Sequence, residues 1–161
     1  MEPVESEFVG GEVPAAVREL IEASKQAPPE QTASILWGAN ALFPGCLPVY
    51  YLLYKFHASR GELADAERAA RAALVASGEQ ASLPGTIVGD PPENLRAHVD
   101  FQTPGPARFW LFTLKALAFI STRQGRLEEA RRLVSLLTQC DPSHSVGSEV
   151  TAALLAAVES A

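Results

Sequence analysis

The stretch LFTLKALAFISTRQGRLEEARRLVSLLTQCDP, residues 111–142, decides the fold. Small or apolar side chains recur at helical spacing in two arms, first Leu114, Leu117, Ala118 and Ser121, then Leu127, Ala130, Val134 and Leu137. Gln124-Gly125-Arg126 separates the arms and Asp141-Pro142 ends the second, since glycine accepts the turn and proline cannot continue a helix. Two amphipathic helices joined by a tight turn are expected. Such a hairpin leaves one apolar flank open, so it needs neighbours.

A second hairpin begins at Leu47. Its GELADAERAA, from Gly61, parallels GRLEEARRLV from Gly125, the clearest internal similarity in the chain. Counted from Leu111, places 4, 7, 8, 15, 20, 24, 27 and 32 hold Leu114, Leu117, Ala118, Gly125, Ala130, Val134, Leu137 and Pro142. Counted from Leu47, Tyr50, Leu53, Gly61, Ala66, Ala70 and Ala73 take places 4, 7, 15, 20, 24 and 27. This spacing resembles the tetratricopeptide repeat, a helix-turn-helix unit of about 34 residues. Tyr54 and His57 depart from it, and Ala69 and Ala73 are expected to make room for Tyr54.

A third, degenerate hairpin is expected from helices over 14–26 and 32–42, with Val17, Leu20, Ile21, Ser24, Ile35, Leu36 and Ala39 facing inward. A last helix over 146–159 carries Val150, Leu154, Leu155 and Val158 on its apolar face. The resemblance thus implies an all-α, TPR-like right-handed α-solenoid of about three helix-turn-helix units plus a C-terminal capping helix.

Two segments fall outside this pattern. Residues 1–12, MEPVESEFVGGE, read as an acidic flexible tail, leaving 13–161 as one domain. Residues 78–105 hold Gly78, Pro84, Gly85, Gly89, Pro91, Pro92, Pro104 and Gly105, a long insertion that no regular repeat accommodates. Within it, Asp90 as cap and Pro91 in the first turn predict a short helix ending near Val99. Connections of this length often serve function, and this one is expected to cover an end or a face of the bundle.

The formal net charge is −6, of which Glu2, Glu5, Glu7 and Glu12 supply four, leaving −2 for the rest. That balance opposes nucleic-acid binding, which calls for a basic footprint. No leader pattern follows Met1, and the longest apolar run is broken by Lys115, so neither secretion nor membrane insertion is expected. Cys46 and Cys140 stand far apart without a CxxC, which points to reduced thiols and a cytoplasmic protein.

The resemblance also implies a concave groove lined by the first helix of each unit. Carried over place by place, it gives Pro48, Tyr51, Lys55, Ala58 and Ser59, then Phe112, Lys115, Phe119, Thr122 and Arg123. Tyr51, Lys55, Ser59, Phe112, Lys115, Phe119 and Arg123 form the candidate partner-binding set: aromatics for area, cations for orientation. A second reading puts Phe112 and Phe119 in the core, beneath the connection or the last helix. The asparagine-lysine carboxylate clamp of some chaperone-binding relatives is not reproduced, since Lys55 and Phe119 occupy its place.

No catalytic, metal or cofactor motif is present: His57, His98 and His144 are scattered, and no nucleophile elbow or phosphate loop occurs. His57 reads as a packed histidine. Glu128, Glu129, Arg131 and Arg132 read as an exposed helix face with local pairing. The expected function is a non-catalytic protein-protein interaction module, an adaptor, scaffold or chaperone-like holder of a peptide or helix from another protein. The resemblance extends to secretion chaperones that grip translocator segments. The alternative is a structural subunit or homo-oligomer joined through an exposed patch of Tyr51, Phe56 and Trp110.

Overall fold

The computed structural model describes residues 13–85 and 87–160. The acidic tail, residues 1–12, lies outside the described residues. Those described form eight helices and no strand: α1 (Ala15–Gln26), α2 (Pro29–Leu42), α3 (Leu47–Ser59), α4 (Leu63–Gln80), α5 (Leu95–His98), α6 (Pro106–Arg123), α7 (Leu127–Cys140) and α8 (Ser148–Glu159). The chain is all-α.

Similar sequence produces the same local structure around the two glycines. Gly61 (φ +73°) and Gly125 (φ +78°) take the left-handed conformation that a side chain would strain. In the first turn, the N–H of Glu62 donates to the carbonyl of His57 at 2.9 Å and that of Gly61 to Ala58 at 3.1 Å. In the second, Arg126 donates to Ser121 at 3.0 Å and Gly125 to Thr122 at 3.1 Å. Both are Schellman caps, which use the last helical carbonyls while reversing the chain.

α1 packs on α2, α2 on α3, and α3 on α4. α4 also packs on α6, α6 on α7, and α3 touches α6 directly. Alanine makes the close approach possible. Ala66, Ala69, Ala70 and Ala73 on α4 are fully buried, and Tyr54 fits beside them with its hydroxyl 3.3 Å from Thr113 Oγ1 on α6. Burial pushes the Tyr54 phenol well above its ordinary value, so it stays neutral.

Several expectations change in detail. α2 begins at Pro29, not Thr32, because Pro29 suits the first helical turn while Pro28 holds the preceding residue extended. Thr32 then donates its hydroxyl to Ser24 O at 3.1 Å, tying α2 to α1. The insertion shrinks to 81–105, since α4 continues through Gly78. Its short helix is one turn, Leu95–His98, preceded by Asn94 in the left-handed region. Asp90 does not cap it: Pro92 forces Pro91 out of helical geometry, so the helix cannot start there.

The connection covers one face of the bundle. Phe101 is buried with its ring 5.8 Å from that of Trp110, and Ile87 and Leu95 are buried with it. Trp110 is therefore core, only 1% exposed, and not part of an exposed apolar patch. Tyr51 and Phe56, placed in the same patch, are half-buried.

The charged run after Gly125 is exposed at Glu128, Arg131 and Arg132 and locally paired, as expected, and it also reaches other helices. Glu129 accepts from Arg71 of α4 at 2.6 Å as well as from Arg132 at 3.2 Å, and Arg131 pairs with Glu159 of α8. Glu67 of α4 accepts from Arg71 at 2.8 Å, Arg126 at 2.7 Å and Gln124 at 3.1 Å. These charges join helices as well as lining an exposed face. Burial raises the Glu67 carboxyl, but its hydrogen bonds to Arg71 and Gln124 outweigh that and hold it below its ordinary value. Because Arg71 and Arg126 are half-exposed, Glu67→Ala is expected to cost only about 1 kcal/mol, less in high salt. Urea unfolding at two ionic strengths checks this.

Candidate functional site

α3, α6 and α8 enclose a groove of about 450 Å³. Its walls carry Tyr51, Tyr54, Lys55 and Ala58 from α3, and Phe112, Lys115, Ala116, Phe119 and Ile120 from α6. Val150 and Thr151 of α8, with Gly147 before it, close the third side. The structure thus brings Tyr51, Lys55, Phe112, Lys115 and Phe119 together. Ser59 and Arg123 are not among the lining residues. Ser59 turns its hydroxyl back to Phe56 O at 2.8 Å, because a serine in the last helical turn finds a carbonyl within reach. Arg123 reaches across to Ala58 O at 3.4 Å.

The aromatic side chains form a continuous floor. Tyr51 lies 5.7 Å from Phe112 and 5.6 Å, edge-on, from Tyr54. Phe112 is half-buried and Phe119 is 36% exposed, so neither is a closed core residue. The connection does not cover them; α8 stands beside them as a wall.

Each of three aromatics has a cation three or four residues later, on the same helical face. Lys55 Nζ lies 5.4 Å from the Tyr51 ring centre, Lys115 Nζ 4.3 Å from that of Phe112, and the Arg123 guanidinium 5.9 Å from that of Phe119. Such contacts contribute roughly 0.5–1 kcal/mol at exposed sites and more when desolvated. No aspartate or glutamate is among the lining residues, though the charge of Glu149 on α8 acts on Lys115. Burial depresses the Lys115 ammonium's pKa, against the pull of Glu149.

The α8 wall is set by a clamp on Val146. Lys115 Nζ donates to Val146 O at 2.7 Å. On the other side, the Val146 N–H donates to Asp141 Oδ2 at 3.1 Å, and Ser145 Oγ donates to Asp141 Oδ1 at 2.7 Å. Gly147, at φ +78°, then turns the chain into α8. Of the two starts the sequence offers, Ser145 and Gly147-Ser148, the helix takes the second, and it is rotated from the expected face. Ser148, Thr151 and Leu155 face inward, while Val150 is 68% and Val158 37% exposed. Neither Gly147 nor the α8 residues of the wall were anticipated.

Two of the three histidines are engaged in local structure. The Trp37 indole, which can only donate, gives its N–H to His57 Nε2 at 3.1 Å, so Nδ1 carries the proton toward Glu62 at 3.0 Å. His57 is thus a buried, neutral link between α2 and the turn after α3. His144 Nδ1 meets Ser148 Oγ at 2.7 Å, but the Asp141 carboxylate serves Ser145 and Val146 instead of that imidazole. Burial pushes the Cys140 thiol up to about 11. Among the described residues no cluster of His, Cys, Asp and Glu is placed to hold a metal ion, and no helix is long and apolar enough to cross a membrane. No protein-family model, curated protein or solved structure matches the chain.

Proposed function

We propose that this chain is a non-catalytic, tetratricopeptide-like interaction module that holds a peptide or helix of another protein in the groove between α3, α6 and α8. The observation that carries the reading is the groove itself: Tyr51 and Phe112 in ring contact, with Phe119 lining the same groove, each of the three paired with a cation. Aromatic surface supplies binding area at small entropic cost, and paired cations orient a ligand that brings carboxylates. The matching caps at Gly61 and Gly125 support a repeat arrangement, as does the way α4 sits between α3 and α6. Two cysteines far apart in sequence with no CxxC suit a cytoplasmic adaptor, scaffold or holding chaperone.

Selection of a phage-displayed peptide library on the intact protein tests the reading. Enriched sequences are expected to combine apolar anchors with acidic residues. Fluorescence anisotropy with a selected, labelled peptide should show at least tenfold weaker binding to Lys55→Glu with Phe119→Ala. Both side chains are exposed, so the thermal midpoint should move little. Wild-type affinity in that double variant would reject the groove.

Val150 supports a second reading, in which another copy of the chain covers the groove and α8, because an apolar residue 68% exposed beside Phe119 invites cover. Light scattering over a wide concentration range separates the two. A strict monomer removes the homo-oligomer.

A further inference from the structure

We infer that residues 1–12 of this chain are themselves a ligand of the groove, occupying it in the same molecule until a partner displaces them. The inference rests on the groove reading above and adds an occupant to it. Charge complementarity is the first argument. The groove presents Lys55 and Lys115, with Arg123 held over Phe119 beside it, and no acidic lining residue. The segment MEPVESEFVGGE carries Glu2, Glu5, Glu7 and Glu12 and no lysine or arginine, so two thirds of the chain's net charge of −6 resides there. Glu149 on α8 opposes an acidic guest at one edge, which favours placing the glutamates toward Lys55 and Arg123.

The pattern of the segment is the second argument. In an extended chain alternate side chains share a side. Val4, Ser6 and Phe8 then face one way while Glu5 and Glu7 face the other. The anchors Val4 and Phe8 on one edge and the two carboxylates between them, Glu5 and Glu7, on the other would match an aromatic floor with cations at its margin, with Glu2 on the anchor side. In the sequence, Gly10 and Gly11 stand between these residues and Val13, and glycines accept whatever direction docking would demand.

Reach is the third argument. Val13 is buried against the core, which fixes where the segment departs. α1 packs on α2 and α2 on α3. Two steps of 8–10 Å place α3 at most about 20 Å from α1. Phe8 and Val4 precede Val13 by five and nine residues, about 17 and 30 Å of extended chain. Side chains from both partners cover the remainder, so the segment needs no second molecule.

The test uses the full chain with Phe8→p-benzoylphenylalanine, irradiated at low concentration and mapped by mass spectrometry. Cross-links are expected within the monomer, to peptides of α3, α6 or α8. They should fall at least threefold when Lys55→Glu and Arg123→Glu, both on exposed residues, are added. Cross-links in a dimer band would assign the segment to a second copy and overturn the proposal. Cross-links elsewhere, or none, would also overturn it. If a library-selected peptide still binds in that case, only the self-ligand is lost. If it does not, the groove reading falls as well.

Discussion

Trp110→Ala is expected to destabilise the protein by about 3–5 kcal/mol, the cost of removing a large aromatic from a closed site. The indole is 1% exposed, packs on Phe101 of the connection, and has Gly78 of α4 beside it, where an added Cβ would sit 3.6 Å from the ring. One side chain thus joins α4, α6 and the 81–105 connection. At roughly 2–4 °C per kcal/mol for a chain of this size, the thermal midpoint should fall by about 6–20 °C. Trp110→Phe should recover much of the loss, since a ring remains against Phe101. The site lies apart from the groove, so the folded fraction of Trp110→Ala should bind a groove peptide with wild-type affinity. A loss below 1 kcal/mol would show that the connection is not anchored there.

That a tryptophan expected on an exposed patch is core shows where sequence reading loses its grip. Helical periodicity reports which face of one helix is apolar, and it placed Leu114, Leu117 and Ala118 correctly. It does not report what covers the start of that helix. Trp110 sits just before the repeat-like register begins, and its partner Phe101 belongs to a proline-rich segment with no period of its own. The same reason hides the ion pairs. Glu129 looked like a surface charge because Arg132 lies one turn away, whereas Arg71, 58 residues earlier, also holds it. Local pairing is visible in a sequence, but pairing between hairpins depends on how they stack.

The groove was half legible. The groove places implied by the resemblance named Tyr51, Lys55, Phe112, Lys115 and Phe119, and these do meet, because residues one turn apart on α3 and on α6 share a face once those helices lie side by side. Residues from the helix ends were less secure. Ser59 and Arg123 lie in last turns, where free carbonyls capture their side chains. The third wall had no comparable signal. The TAALLAAV run of α8 is small or apolar on nearly every side, so its sequence names no inward face. Its orientation is set before the helix begins, by Asp141, Lys115 and Gly147.

That origin makes Asp141 the residue whose loss should reach both stability and binding. Its carboxylate is buried and accepts from Ser145 Oγ and from the Val146 N–H. Burial alone would raise its pKa, but the hydrogen bonds from Ser145 and Val146 prevail and hold it below the usual aspartate value. A hydrogen bond to a charged group contributes about 1.5–3 kcal/mol, offset by the cost of burying the charge, so Asp141→Ala should cost about 2–3 kcal/mol. The sign of the pH dependence follows from the same shift. The unfolded chain takes up a proton near pH 4, before the folded one does, so the contribution is complete above about pH 4 and is lost as pH falls through the lower folded value. Asp141→Asn should flatten that acidic limb while keeping part of the network. Because Val146 is held by Asp141 through its N–H and by Lys115 through its carbonyl, Asp141→Ala also frees the start of α8. Groove affinity should then fall severalfold at a temperature where the variant is still folded, and amides of α8 should exchange with solvent faster than those of α3. Unchanged exchange in α8 would mean that packing on α6 and α7 holds the wall without the carboxylate.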